Sequence, residues 1–402
     1  MIHVAFCTSN LYAKFAGTAM LSLFENVPPP PNSVIVHILH DNSLTAENRD
    51  KFIYIAGMYG QIVNFYNVEK LCANRIAEFR NLMPEIDERL SIVTLYRLLI
   101  PQILSEDIIK IIYLDCDIIV NLNIAELWRV ELNDKPIAAV TEKSNGCPSN
   151  FLKMCKDGLI SFEDYFNSGV LIMNLRRLRV EISTITDGFK FLGKNPVYNL
   201  ADQEILNYCF ASQSLKLPNK FNRHLTFARR DGDFEVRDRI LHYTANTLRL
   251  DAEDIFNRLW LKYFSKTPWF NESTLGNLYE GVKKIYVEQK NFAAQISALI
   301  SGKTRAFFVA PNQIEAVRQI FYVKPNEEII AADSPESLQR VANSLAARDK
   351  VFFVFLPNEY PIVQQNLSRA GFVEGADFLN AMLFLSDAHG VPLNSYPLIK
   401  LL

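Results

Sequence analysis

The sequence predicts an α/β protein: a mixed, mostly parallel sheet with helices on both faces, followed by a smaller α/β unit. Short runs of β-branched and aromatic residues alternate with helix-length amphipathic segments through the first half of the chain, which is the pattern of such a sheet. The chain has 402 residues, of which 49% are apolar, so it exceeds the usual size of one hydrophobic core and can fill two.

The first domain is predicted to span residues 1–272. Its strands are expected where β-branched and aromatic residues cluster: His3–Cys7, Val34–Leu39, Ile62–Asn67, Lys110–Leu114, Pro136–Val140 and Gly169–Asn174. Its helices are expected where apolar residues recur at helical spacing: Gly17–Asn26, Ala46–Met58, Ile92–Leu104 and Asp202–Ala211.

Residues 273–301 are predicted to form a helical linker, and residues 302–402 the small second domain. Its strands are expected at Ala306–Ala310, Glu328–Ala332 and Val351–Leu356, and its helices at Gln313–Phe321, Pro335–Ala347 and Tyr360–Ala370. The first of these strands leads into Pro311-Asn312-Gln313 rather than into a glycine-rich turn, which argues against dinucleotide binding.

Composition narrows the class of protein. A net charge of −2 and a pI of about 6.3 remove the electrostatic case for a nucleic-acid partner. The six cysteines include no Cys-x-x-Cys pair, so they are expected to be reduced thiols. The sequence shows no secretory signal pattern and no apolar run of about 20 residues, so a cytoplasmic protein without a transmembrane segment is expected.

The strongest local signal for chemistry is the stretch from Ile111 to Val120, which is predicted to be an apolar strand that ends in two carboxylates, Asp115 and Asp117. On a strand, both side chains would project to one side, roughly 6 to 7 Å apart at the backbone, and could share one cation. An Asp-x-Asp pair is more often a solvated strand end, but ligands of open α/β sheets bind at the carboxyl ends of strands.

Oxygen ligands suit Mg²⁺ or Mn²⁺, and an imidazole as third ligand would favour Mn²⁺. His242 is the candidate. The alternative is a core histidine satisfied by a backbone carbonyl, and the two interpretations differ in whether His242 faces Asp117.

Three further segments have two interpretations each. Arg97, in an apolar helical segment, could bind a diphosphate, or it could extend to water or pair with a neighbouring acid. Asn167 and Gly169 could hydrogen-bond a sugar and allow its close approach, or they could form a turn. Asp202 could bind sugar hydroxyls with Gln203 near the reacting carbon, or it could simply cap a helix.

The order of these segments carries more information than any one of them. Tyr113–Asp117, Tyr165–Leu175, Asp202–Asn207 and His242–Tyr243 resemble, in this order, the motifs of glycosyltransferase family 8. These are retaining sugar transferases that include bacterial lipopolysaccharide galactosyl- and glucosyltransferases. Thr94–Leu98 is similar to the family's donor-contacting arginine segment. The resemblance covers roughly residues 1 to 272 and implies a GT-A-type sheet that binds a nucleotide sugar.

The resemblance also implies roles for individual residues. Asp115, Asp117 and His242 would bind Mn²⁺ or Mg²⁺, which would grip the diphosphate of a UDP-hexose. Asp202 would hold the transferred hexose and Gln203 would lie beside the anomeric carbon, as the catalytic residues. The implied donor contacts are Thr8, Ser9, Asn10, Arg97, Asp115, Cys116, Asn167, Ser168 and Asp202. The implied reaction moves glucose or galactose to a hydroxyl of a glycan or glycoconjugate with retention of configuration.

Two segments depart from the family pattern. Thr8-Ser9-Asn10 lacks the aspartate that reads uracil, and Tyr243–Leu250 lacks the Gly-x-x-Lys-Pro-Trp motif. Arg249, one residue later, could substitute for the lysine of that motif. A noncatalytic sugar-nucleotide-binding or scaffold protein is therefore the alternative.

The second domain resembles small α/β units of other bacterial cell-surface sugar transferases, which implies a role in assembly, as an oligomer, or in acceptor presentation. Two groups of arginines could contact an anionic glycan or, peripherally, a lipid surface, or they could simply be solvated faces, as arginine clusters more often are: Arg176, Arg177 and Arg179, and Arg223, Arg229 and Arg230.

Overall fold

The computed structural model describes most of the chain. The described residues are 1–26, 31–83, 91–147, 152–195, 197–198, 201–244, 254–277, 279–281, 283, 302–320, 323–334, 336–356 and 359–381. The chain divides into two compact units, the first ending at Asn271 and the second beginning at Glu272. Of the predicted linker, residues 273–277 are helical, and its remainder lies largely outside the described residues.

The central sheet of the first unit has seven strands. They are β1 (Ile2–Thr8), β2 (Val34–His40), β3 (Ile62–Asn67), β4 (Lys110–Leu114), β6 (Ile137–Thr141), β7 (Phe166–Asn174) and β8 (Leu215–Lys216). Their order is β3-β2-β1-β4-β7-β6-β8. All neighbouring pairs are parallel except those of β7, which runs antiparallel to β4 and β6. The start of β7 therefore lies at the same edge as the ends of β4 and β6.

A second sheet of three strands continues from the first. It consists of β5 (Ile118–Asn121), β9 (Arg223–His224) and β10 (Arg239–His242), in the order β5-β10-β9. β10 is antiparallel to β5 and parallel to β9. Because only three residues separate β4 from β5, the chain passes at that point from one sheet directly into the other.

Helices surround these sheets, and several begin with a side-chain cap. The α-helices of the first unit are Ala13–Glu25, Ala46–Met58, Val68–Leu71, Ala73–Leu82, Ile100–Ile103, Ala125–Trp128, Lys153–Lys156, Leu175–Val180, Ile182–Lys194, Ala201–Phe210, Leu225–Asp231 and Ile255–Phe264. Short 3₁₀ helices are Ile92–Leu99, Lys143–Asn145, Ala211–Gln213 and Asn219–Phe221. Thr45, Asn174 and Asp254 each accept a backbone N–H of the helix that follows, which satisfies donors that the first turn leaves free.

The second unit contains one parallel sheet of four strands. They are β11 (Thr304–Val309), β12 (Glu328–Ala331), β13 (Lys350–Phe355) and β14 (Phe378–Asn380), in the order β12-β11-β13-β14. The helices are Ile314–Ile320, Ser337–Leu345 and Tyr360–Arg369, with a 3₁₀ turn at Pro311–Gln313. Apolar side chains cover both faces of this sheet: Phe308, Phe352 and Val354 belong to one core, and Phe307, Val309 and Phe353 to the other.

The fold class predicted from the sequence is confirmed, but three local predictions are wrong. The stretch from Ile111 to Val120 is two strands in different sheets rather than one. Residues 92–104 begin as a 3₁₀ helix and form an α-helical turn only at Ile100–Ile103. Asn167 and Gly169 lie inside β7 rather than in a turn before it. Within the described residues, no helix combines the length and the apolar character needed to cross a membrane.

Candidate functional site

Two carboxylates lie where the chain passes between the sheets. β4 ends at Leu114 and β5 begins at Ile118, so Asp115 and Asp117 occupy the connection. The backbone N–H of Asp115 donates to the carbonyl of Gly169 at 2.8 Å, which extends the pairing of β4 with β7 by one residue. The side chains of Asp115 and Asp117 are 23% and 30% exposed, so both carboxylates remain accessible to a ligand.

His242 reaches the same place from the end of β10. The antiparallel register puts His242 opposite Ile118, and the N–H of Tyr243 donates to the carbonyl of Asp117 at 2.8 Å. The imidazole Nε2 is 3.2 Å from Asp117 Oδ1 and 3.7 Å from Asp115 Oδ2. His242 therefore faces Asp117, which is the geometry that distinguishes the two interpretations left open by the sequence.

The three side chains fit a divalent cation. One ligand atom from each of Asp115, Asp117 and His242 lies within 4.8 Å of the others. Bonds of about 2.1 Å to one ion would place neighbouring ligand atoms about 3 Å apart and opposite ones about 4 Å apart. Burial lowers the pKa of His242, but the negative charges of Asp117 and Asp115 raise it by more. The site thus favours positive charge, and two carboxylates with one imidazole suit Mn²⁺ or Mg²⁺.

Gly169 leaves the space in which these groups meet. A Cβ at this position would lie 2.2 Å from Cε1 of His242 and 2.8 Å from Oδ2 of Asp115. Real Cβ atoms do not approach other atoms so closely, so a larger residue would displace one of the two side chains. The glycine is required here by packing and not by an unusual backbone conformation.

Arg97 lies buried between two of the acidic residues. Its Nη2 donates to Asp115 Oδ1 at 2.8 Å, its Nη1 donates to the carbonyl of Ser168 at 2.8 Å, and its Nε is 3.1 Å from Asp202 Oδ2. The guanidinium stacks on the ring of Tyr113, whose hydroxyl donates to the same Asp115 oxygen at 2.7 Å. Burial raises the pKa of the Asp202 carboxyl, and the charge of Arg97 opposes this shift. Arg97 thereby fixes the orientation of both carboxylates.

Asn167, Ser168, Asp202 and Gln203 form one hydrogen-bonded group beside this pair. Gln203 Oε1 accepts the side-chain amide of Asn167 and the backbone N–H of Ser168, each at 3.0 Å. Asp202 Oδ2 accepts the hydroxyl of Ser168 at 3.0 Å. Asp202 lies inside the first turn of the helix Ala201–Phe210, so the capping interpretation gives way to an ion pair with Arg97.

The end of β1 and Cys116 have other partners. The hydroxyl of Thr8 donates to the carbonyl of Ser9. Asn10 Oδ1 accepts the N–H of Thr45 at 3.0 Å, which ties it to the start of the helix Ala46–Met58. The thiol of Cys116 is buried and donates to the carbonyl of Cys7 at 3.1 Å. The side-chain oxygen of Asn10 and the thiol of Cys116 are thus engaged by partners within the protein. Arg249 lies outside the described residues.

Three buried polar residues of the site were not predicted from the sequence. Asn222 Oδ1 lies 2.9 Å from His242 Nδ1. Glu142, at the end of β6, accepts the amide of Asn167 at 3.0 Å, and burial raises the pKa of its carboxyl. His224 packs edge to face against His242. Asn222 and His224 are two residues apart, as on one side of a strand, but β9 is too short to be recognised from its sequence.

Glu204 is a further buried carboxyl next to Gln203. Its Oε2 has no hydrogen-bond partner among the described residues. Burial raises the pKa of Glu204 to about 7, a hydrogen bond from Tyr165 opposes this shift, and the charge of Asp202 adds to it.

Three of the six arginines considered for anionic partners are structural. Arg179 donates to five backbone carbonyls between Pro101 and Ile108. Arg223 pairs with Asp233 at 3.1 Å, and Arg229 pairs with Asp254 at 2.6 Å. Arg179, Arg223 and Arg229 thus have partners within the chain, whereas Arg176, Arg177 and Arg230 are exposed.

Comparison with known proteins gives matches to sugar transferases. The model of glycosyl transferase family 8 matches residues 3–247. A Haemophilus influenzae protein named as a glycosyltransferase is 26% identical over 228 residues, which cover 55% of this chain and 63% of that protein. Lipopolysaccharide 1,2-glucosyltransferase of Escherichia coli is 25% identical over 280 residues, which cover 65% of this chain and 77% of the enzyme.

The fold also has a counterpart among solved structures. The galactosyltransferase LgtC, in complex with donor and acceptor sugar analogues, aligns with a TM-score of 0.54 and 20% identity. The alignment covers 68% of this chain and 99% of LgtC. At this level of identity the match establishes a shared fold.

Proposed function

Because the chain belongs to glycosyltransferase family 8, we propose that it transfers a hexose, glucose or galactose, from a UDP-sugar to a hydroxyl of a glycan or glycoconjugate. The resemblance that the motifs predicted is confirmed, as are the GT-A fold and the assignment as a glycosyltransferase. The donor sugar, the acceptor and the dependence on a metal are parts of the proposal.

The meeting of Asp115, Asp117 and His242 beneath Gly169 is the observation that supports the proposal most. These three side chains would hold Mn²⁺ or Mg²⁺. When bound, the cation would stabilise the negative charge of the departing diphosphate. Oxygen ligands and an imidazole supply the donor set that such an ion prefers.

The neighbouring residues would bind and orient the sugar. Asp202 would accept hydrogen bonds from hexose hydroxyls, since Ser168 and Arg97 already fix its position. Gln203 would lie beside the anomeric carbon, with its amide oriented by Asn167. Holding the sugar and the acceptor hydroxyl in a reactive arrangement lowers the barrier by removing their freedom of motion.

Transfer would retain the anomeric configuration, with the acceptor hydroxyl approaching from the face that the nucleotide leaves. This proposal follows from the family and requires no protein nucleophile. Analysis of the product's anomeric linkage by NMR tests it, and an inverted linkage would contradict it.

Release of UDP tests the activity. We expect the protein to hydrolyse UDP-glucose or UDP-galactose slowly when Mn²⁺ is present, and to lose this activity in Asp117→Asn. Asp187→Asn, at a side chain that is 76% exposed, is the matched control and should behave as wild type. Mn²⁺-dependent binding of UDP without any turnover would indicate the scaffold alternative, and absence of both would contradict the proposed metal site.

Three wider proposals accompany this function. The second unit would serve oligomer assembly or acceptor presentation, which light scattering of the full chain tests for assembly. The six free thiols support a reducing compartment such as the cytoplasm. Arg176, Arg177 and Arg230 are the arginines left for peripheral contact with a lipid surface, which vesicle sedimentation tests.

A further inference from the structure

Asn222 connects the metal-facing histidine with the sugar-facing amide. It is fully buried and lies between the 3₁₀ helix Asn219–Phe221 and β9. Its Oδ1 is 2.9 Å from Nδ1 of His242, and its Nδ2 is 2.8 Å from Oδ1 of Asn167. One amide thus contacts both halves of the site.

The direction of each hydrogen bond follows from a backbone donor. The N–H of Gly169 can only donate, and it lies 2.9 Å from Asn167 Oδ1, so that atom is an acceptor. The group of Asn222 that faces it must therefore be the NH₂, which leaves Asn222 Oδ1 facing His242. Because this oxygen can only accept, His242 carries its proton on Nδ1.

This arrangement decides which tautomer of His242 is present. With the proton on Nδ1, the lone pair of Nε2 points toward Asp117, 3.2 Å away. In the other tautomer, Nε2–H would donate to Asp117, and both groups would be lost as metal ligands. The carboxylates alone favour this second tautomer in the absence of a cation, so a separate acceptor at Nδ1 is needed to select the first.

We propose that Asn222 is a positioning residue that holds His242 in the metal-binding tautomer and couples its orientation to Asn167. The inference rests on the proposed metal site, but it concerns the histidine proton and not sugar transfer. A ligating histidine whose second nitrogen is fixed by a hydrogen bond typically loses about 10- to 100-fold in metal affinity when that partner is removed.

Titration of Mn²⁺ without any sugar, followed by electron paramagnetic resonance of the free ion, tests the coupling. Asn222→Leu keeps the approximate size and removes both hydrogen bonds, so its dissociation constant for Mn²⁺ should rise by about 10- to 100-fold. Asn222→Asp keeps an acceptor for Nδ1 but cannot donate to Asn167, so it should retain most of the affinity. Affinity equal to wild type in Asn222→Leu would overturn the proposal.

Asn145→Leu is the matched control. Asn145 is also fully buried and accepts the backbone N–H of His224 at 3.2 Å, but it has no bond to His242. It should bind Mn²⁺ with the affinity of wild type. A loss as large as that of Asn222→Leu would show a general effect of removing a buried amide and would overturn the specific role.

A measurement on the wild-type protein keeps the test independent of whether the variants fold. Nitrogen-15 NMR of histidine-labelled, metal-free protein, recorded at a pH at which the imidazole of His242 is neutral and assigned with His242→Gln, should show its single proton on Nδ1. A neutral ring with its single proton on Nε2 would overturn the proposal. If Mn²⁺ affinity depends on Asn222 but no sugar is transferred, the proposed function fails and this inference stands. If sugar is transferred but Asn222→Leu does not change Mn²⁺ affinity, the proposed function stands and this inference fails.

Discussion

Replacing Gly169 by alanine tests whether the site is as tightly built as its distances indicate. The new Cβ would lie 2.2 Å from Cε1 of His242, whereas carbon atoms in contact are about 3.5 Å apart. The ring or the strand must therefore move by about 1.3 Å. Metal ligands tolerate displacements of only about 0.2 Å. Disturbing the support of a ligand typically lowers metal affinity by about 10- to 100-fold, so we expect Gly169→Ala to lose Mn²⁺ affinity by at least about tenfold.

The same substitution should also lower stability. Overpacking a filled site costs about 1 to 3 kcal/mol, which urea unfolding followed by circular dichroism would detect. Gly57→Ala is the matched control, because its Cβ would meet no atom within 4 Å and alanine favours a helix by up to about 1 kcal/mol. Wild-type Mn²⁺ affinity and unaltered unfolding in Gly169→Ala would refute the packing argument.

Further substitutions test the electrostatics and the supports of the site. Burial raises the pKa of Glu204 from 4.5 to about 7, so the folded protein binds this proton more tightly than the unfolded chain does. The free energy of unfolding therefore falls as the pH rises between these two pKa values. Glu204→Gln should thus raise the free energy of unfolding by about 3 kcal/mol at pH 8 and little at pH 4, and an equal effect at both pH values would contradict this. Arg179→Met should lower the free energy of unfolding by about 3 kcal/mol, because backbone carbonyls lose their hydrogen-bond donor. The control Arg176→Met, at an exposed arginine, should lower it by less than about 0.5 kcal/mol. Similar urea midpoints for the two variants would contradict the role of Arg179 in binding these carbonyls. Arg97→Met should cost about 3 to 5 kcal/mol, because Asp202 would keep its buried charge without a partner; wild-type thermal unfolding would show that Arg97 is not needed.

The sequence predicted most of the central sheet, because its strands are long and apolar. β3 and β4 have the predicted limits, and β1 and β2 extend by one or two residues. The short strands were missed. β9 and β10 contain two and four residues, and pairing with neighbours, not local composition, determines them.

The same limit applies to the site. Asp115 and Asp117 were recognisable from their position at the end of an apolar stretch. Their meeting with His242 depends on the antiparallel register of β5 and β10. These two strands are far apart in the sequence, and neither segment alone predicts that they pair. Asn222, Glu142 and His224 carry no sequence signal of their own, since their significance comes from the partners that folding provides.

The proposed function depends on one divalent ion that binds between two acidic side chains and an imidazole. Crystals soaked with MnCl₂ and UDP, with diffraction recorded at the manganese absorption edge, test it directly. We expect one strong anomalous peak bounded by Asp115, Asp117 and His242. Absence of a peak there, or a peak only at another site, would contradict it.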